Sequence, residues 1–275
     1  MKGRILTSLL AVIAMAGLQA QEVPAVPRLV VGLTIDQLSM DYVEAFSAMY
    51  GERGFKRLWK QGRVYRNAEY NFNQVDRSSA VAAIYTGTTP HVNGIVGNAW
   101  MDRTSLQVVN CVDDTRFMGI YTSESTSPSR LSVSNLSDEL IVATQGTAEV
   151  YSIAPTREMA VLAAGHASQG AFWINDETGK WSGSTYYGTF PSWVSNYNDR
   201  QGLDFRISDM TWSPYLPVSI YRYLTSETKQ VTFKHKFNDE RKNKYRKLKT
   251  SPYANEEVNR LVNACLSSTS VGRDL

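Results

Sequence analysis

Residues 73–100, NQVDRSSAVAAIYTGTTPHVNGIVGNAW, set Asp76, Arg77, Ser78 and Ser79 at the entry to an alanine-rich run that stops at Gly87. Asp or Ser ahead of such a run is a helix N-cap, and Gly just past it is a C-terminal stop. The spacing therefore predicts a short helix followed by a long loop. A helix N-terminus presents unpaired N–H groups and a partial positive charge, so it is a natural place to hold a phosphate, and a hydroxyl there is well placed as a nucleophile. The same pattern also describes an ordinary capped core helix. A second candidate is Asp36, at the end of the apolar run LVVGLTI over residues 29–35. That run reads as a fully buried strand, and a carboxylate at the C-terminal end of such a strand sits where open α/β sheets place their ligands. Asp36 reads equally well as the cap of a helix beginning near Ser39. Asn98, in GNAW, is a turn residue ahead of Trp100.

The elements that must position these groups follow from periodicity. Residues 40–49 and 55–61 are amphipathic helix patterns with Gly51 and Gly62 as stops, and residues 64–70 alternate like a strand. After the helix over 77–86 comes a loop-rich stretch with one short strand candidate at 106–112. Residues 132–144 form a helix capped by Ser134 or Asn135, with Asp138 and Glu139 in its first turns. Residues 150–154 and 159–163 are short apolar runs that fit sheet strands. Residues 171–187 carry a hairpin signal around 175–179, and 191–200 is a helix with Pro191 at its start. Residues 203–250 differ in character. They are aromatic at first, then basic over 229–249, which reads as a solvated lid-like insertion or as a patch for an anionic substrate or envelope surface. A further helix covers 255–266.

At 275 residues and 43% hydrophobic content, one large core is affordable. The net charge of +3 is small, and its bases are mostly interleaved with acids, so nucleic acid is not the expected partner. Cys111 and Cys265 are too few for a disulfide framework. They could form one bridge or stay as two buried thiols. Lys2 and Arg4, the apolar run 5–16 and the Leu18-Gln19-Ala20 end read as a secretory signal peptide over residues 1–20. The run is too short for a membrane span. The expected protein is exported, periplasmic or secreted, and starts near Gln21.

The motifs IYTG (84–87), TPHVNGI (89–95) and GNAW (97–100), in that order, resemble the alkaline phosphatase superfamily. The closer resemblance is to its type I phosphodiesterase/nucleotide pyrophosphatase branch and the secreted PafA-like alkaline phosphatases within it. LVVGLTIDQLSMDY (29–42) and AVLAAGHASQGAFWINDETGKWSGSTYY (160–187) agree with it. The resemblance runs from about residue 27 to the last residue. It implies an α/β fold: a central, mostly parallel sheet flanked by helices over 27–202, an inserted lid over 203–250, and a return to the core over 251–275 that is C-terminally incomplete.

It also implies phosphoryl transfer to a threonine or serine assisted by two zinc ions. Asp36 then falls at a zinc-ligand position and Asn98 at a phosphoryl-oxygen contact. The nucleophile position falls on Arg77, which stays protonated and cannot attack; Ser78 is the neighbouring hydroxyl. The family's Lys and Arg phosphate clamp falls on Thr156 and Glu158, and Glu158 would repel a dianion. Arg157, between them, would point the other way on a strand. His166 is not expected to be a ligand. The strand carrying further Asp and His ligands, which the family places after about residue 275, has no match here. The expectation is a phosphoric ester hydrolase by family with catalysis impaired or lost, and zinc weakly held or absent. The partner would be a phosphate ester or another anionic small molecule. The alternatives are a non-catalytic exported binding module, or the N-terminal half of a split or frameshifted enzyme. A free sheet edge is expected where further strands would pair, as an aggregation or partner-binding liability.

Overall fold

The structure is a computed structural model; it describes residues 27–217, 234–237 and 242–273. The signal-peptide segment, and residues 218–233 and 238–241 of the expected lid, lie outside the described residues. The chain divides into two compact units, one of residues 1–31 with 272–275 and one of residues 32–271. What is described of the first is short, and its Leu29, Val30 and Val31 are exposed.

In the second unit the core is a four-stranded sheet of β3 (Gly119–Ile120), β4 (Tyr151–Ala154), β5 (Gly170–Ile174) and β6 (Trp181–Ser184), in the order β3-β6-β5-β4. β4 and β5 are parallel, while β5–β6 and β6–β3 are antiparallel. The α/β architecture is as expected, with a sheet that is mixed among the described residues. Alternation along β5 divides the core. Ala171 and Trp173 face one side with α3 (Arg77–Thr86) and α6 (Arg157–Ala164). Phe172 and Ile174 face the other, with α7 (Ser192–Gln201), α8 (Lys244–Lys249) and α9 (Tyr253–Ser268). This period of two in a fully buried strand is what a central sheet layer between two helix layers requires.

Residues 159–163 are not a strand but the body of α6. A parallel pair needs a crossover of a dozen or more residues, and the sequence REMAVLAA is rich in strong helix formers. Its exit glycine, Gly165, has φ +71° and lies against the Asn135 side chain, so a side chain there would meet both strain and a clash. Asn135, not Ser134, caps α5 (Leu136–Ala143), in a reciprocal box with Asp138.

Residues 29–35 and 64–70 are not strands either. A strand needs a ladder partner, and no described strand pairs with them. The helix expected over 40–49 is α1 (Met40–Ala45) followed by one 3-10 turn, Ser47–Met49, with Ser39 and not Asp36 ahead of α1. α2 (Phe55–Gln61) matches its expected bounds but buries none of its residues. The short helix α4 (Pro90–Asn93) leads into a hairpin of β1 (Ala99–Met101) and β2 (Val108–Asn110). From the lid, β7 (Thr211–Trp212) pairs with β8 (His235–Lys236), where His235 packs on Trp212. Lys249 pairs with Asp176 at 2.6 Å. Both cysteines are free, buried thiols.

One buried polar cluster fastens α9 to the rest. Glu257, 1% exposed, accepts hydrogen bonds from Trp181 Nε1 at 3.2 Å and Tyr197 Oη at 3.0 Å, and is paired with Arg206. Burial, then the Glu257 charge, pushes the Tyr197 hydroxyl well above its ordinary range.

Candidate functional site

The four residues singled out from sequence come together around the start of α3. Asp76 is the N-cap. Its Oδ1 accepts the Ser79 N–H at 2.9 Å, and the Ser79 hydroxyl accepts the Asp76 N–H at 3.0 Å. Asp76 Oδ2 accepts the Asn98 N–H at 2.6 Å, which ties the 94–98 loop to the helix. Gly87 closes α3 in the left-handed region at φ +66°. The reading of an N-cap ahead of an alanine-rich helix therefore holds, with Asp76 in the cap and Ser78 inside the first turn.

Ser78 is fully buried, and its hydroxyl donates to Asn98 Oδ1 at 2.8 Å. Next to it lies Cys111, whose thiol is pushed up to about 12, chiefly by burial. Arg77 takes a different direction. Its Nε donates to Asp36 Oδ2 at 2.6 Å, with the two side chains 43% and 30% exposed. Burial, and then the Asp36 charge, raises the Tyr70 hydroxyl nearby. Two consequences follow. The partial positive charge of the helix N-terminus is already answered by the Asp76 carboxylate, and the Arg77 guanidinium by that of Asp36.

A second guanidinium sits at the start of α6. Arg157 is not on a strand; its side chain is 9% exposed and turns inward. It meets Asp113 Oδ1 at 2.9 Å, Glu124 Oε1 at 3.7 Å and Glu158 Oε1 at 3.8 Å. Glu158 also accepts from Asn110 Nδ2 at 2.7 Å. Three carboxylates around one guanidinium leave no positive excess for an incoming anion. Asp113 and Glu124 come from a loop that sequence patterns did not mark; only the buried Arg157 reveals them. His166 is likewise structural. Its Nδ1 lies 2.8 Å from Asp138 Oδ2 and its Nε2 3.0 Å from the Leu131 carbonyl, so neither ring nitrogen is left for a metal. Burial works to raise the Asp138 carboxyl, but the His166 ring and the N–H groups of Asn135, Ala167 and His166 hold it below its usual range.

The sequence model of the family described as "Type I phosphodiesterase / nucleotide pyrophosphatase" matches residues 30–258. The chain belongs to this family. It is 32% identical over 261 residues to alkaline phosphatase PhoV of Synechococcus elongatus, a match covering 90% of this chain and 47% of that protein. It is 31% identical over 287 residues to alkaline phosphatase PafA of Elizabethkingia meningoseptica, covering 97% and 52%. Its structure superposes on the crystal structure of wild-type PafA with a TM-score of 0.82 at 28% identity, covering 90% of this chain and 51% of that one. The chain thus spans about half the length of the relatives it matches, and it is a PafA-like member of the alkaline phosphatase superfamily.

The resemblance of this phosphodiesterase-family chain to zinc enzymes raises the question of fit. A catalytic zinc takes about three protein ligands. Among the described residues no three His, Cys, Asp or Glu side chains are grouped to hold a metal ion, and Asp36 is engaged by Arg77. The described residues do not fit the group. No helix among them is long and apolar enough to cross a membrane.

Proposed function

We propose that this chain retains the phosphoester site of its family in a form that binds phosphate-type anions weakly at Arg77 and does not hydrolyse their esters. The observation that carries the reading is the Asp36–Arg77 ion pair, which engages the guanidinium at the mouth of α3 with a carboxylate of the chain itself. With 43% of its side chain exposed, Arg77 still offers N–H donors to solvent, and a guanidinium is well shaped for phosphate. An anion arriving there competes with Asp36, so binding is weak.

Hydrolysis fails for a separate reason. Ser78 is the hydroxyl beside Arg77, but its proton points to an amide oxygen, which cannot act as a base, and its oxygen is buried. Glu158 adds negative charge where a phosphate dianion would need a clamp. Removing one preorganised electrostatic group commonly costs about 100- to 1000-fold in rate. The combined deficit leaves no measurable turnover, although such losses do not simply add. The test is hydrolysis of p-nitrophenyl phosphate and its bis ester with added zinc, on wild type and on Ser78→Ala. Both should be inactive. Zinc-dependent hydrolysis that vanishes in Ser78→Ala would make Ser78 a nucleophile and refute the reading.

The same reading places the protein outside the cytoplasm, on the strength of the charged start and apolar run within residues 1–20. Mass spectrometry of the mature protein should find an N-terminus near Gln21; intact Met1 in the soluble cytoplasm would contradict export.

A further inference from the structure

Residues 229–249 carry nine Lys and Arg against Asp239 and Glu240, a net charge of +7 in a chain whose total is +3, so the rest of the chain is net −4. In the described part of this run the apolar residues turn in and the cations turn out. At β8, His235 packs on Trp212 and Phe237 is buried, while Lys234 and Lys236, which alternate with them, are exposed. In α8, Tyr245 and Leu248 are buried in the same core cluster as Phe237, while Lys242, just ahead of the helix, and Arg246 are exposed. Both elements are thus pinned to one core cluster with their charges facing away from it. Lys249 is taken by Asp176. Among the described residues Lys234, Lys236, Lys242 and Arg246 have no ion-pair partner.

One large aromatic side chain joins these cations on the outside. Tyr215 is 96% exposed. β7 and β8 are antiparallel with Trp212 opposite His235, so Tyr215, three residues past the end of β7, and Lys234, one residue before β8, leave the ladder at the same end. The chemistry of the group that this face suits follows from three features. The cations are exposed and spread over two elements, whereas a small anion needs donors that converge on it. Three of the four are lysines, which act as point charges and lack the planar fork that reads single phosphates. The other rings of the run, Phe237 and Tyr245, are buried, so there is no row of ring faces on which the bases of a nucleic-acid strand would stack. An extended anionic surface fits all three. A cluster of Lys and Arg is drawn to anionic lipid headgroups, and a tyrosine, apolar in its ring and polar at its tip, sits well at the headgroup level. The net negative charge of the rest of the chain turns this one face toward such a surface.

We propose that the outer face of β8 and α8 docks the protein on an anionic phospholipid bilayer through Lys234, Lys236, Lys242 and Arg246, with Tyr215 at the headgroup level. The proposal does not rest on the reading of the Arg77 site. The full chain is sedimented with vesicles of phosphatidylcholine alone and of phosphatidylcholine with phosphatidylglycerol in equal parts. It should bind the anionic vesicles at about 0.1 M salt, be released at about 0.5 M, and leave the neutral vesicles alone. Lys242→Glu combined with Arg246→Glu should weaken binding more than tenfold at an unchanged melting temperature, as should Lys234→Glu combined with Lys236→Glu. Tyr215→Ser should weaken it severalfold. Arg77→Ala should bind like wild type, and inorganic phosphate should release the protein no better than sodium chloride of equal ionic strength. Absence of binding, equal binding to neutral vesicles, indifference to both charge-reversed pairs, loss of binding in Arg77→Ala, specific release by inorganic phosphate, or tighter binding to a single-stranded oligonucleotide than to the anionic vesicles would each overturn the proposal.

Discussion

Replacing Glu257 with alanine will cost about 2–6 kcal/mol of folding stability, the sum expected for two buried donors left without an acceptor. The carboxylate is 1% exposed and serves three donors from three elements: Trp181 in β6, Tyr197 in α7, and Arg206. Arg206 is 27% exposed and can turn to water, so it is the lesser part of the loss. Trp181 Nε1 and the Tyr197 hydroxyl lie in the core and would be left without an acceptor, at about 1–3 kcal/mol each. Glu257→Gln keeps one oxygen in place and should cost less than half as much as alanine. Denaturant unfolding of the two variants measures both values. A loss below about 1 kcal/mol in Glu257→Ala would mean that the core can supply other partners.

The second large effect is expected at Asp76. One of its oxygens caps α3 through Ser79 and the other holds the Asn98 N–H at 2.6 Å. Loss of an N-cap costs about 0.5–2 kcal/mol, and a hydrogen bond to a charged group is worth about 1.5–3 kcal/mol. Asp76→Ala should therefore destabilise the chain by about 2–5 kcal/mol and speed exchange of the Asn98 amide. Asp76→Asn should be milder, since Asn caps a helix nearly as well. If Asp76→Ala left both stability and Asn98 exchange unchanged, the carboxylate would not be what joins the loop to the helix.

The parts of the fold that were legible in the sequence are those determined locally. The cap and glycine stop of α3, the turn between β5 and β6, and the capped helix α5 all depend on residues a few positions apart. α6 was misread because a short apolar run such as MAVLA has no distinguishing period, and what decides it is the crossover that parallel β4 and β5 demand. Residues 29–35 were misread because a strand is a property of its neighbours, and no described strand lies beside them. At the site, Asp36, Arg77, Ser78 and Asn98 were each marked, and they do assemble. Their pairing was not legible. The Asp36–Arg77 contact joins residues 41 positions apart, and Arg157 turns inward to acids from a loop without a pattern.

The central claim is that Arg77 is engaged by a carboxylate of the chain itself, so that the site holds phosphate only weakly. Titration of inorganic phosphate into wild type and Asp36→Asn, followed by calorimetry, tests it most directly. The wild type should bind with Kd of about 1 mM or weaker, and Asp36→Asn about tenfold more tightly, a gain of about 1.4 kcal/mol. Micromolar phosphate binding by the wild type, or an affinity that Asp36→Asn leaves unchanged, would contradict the account.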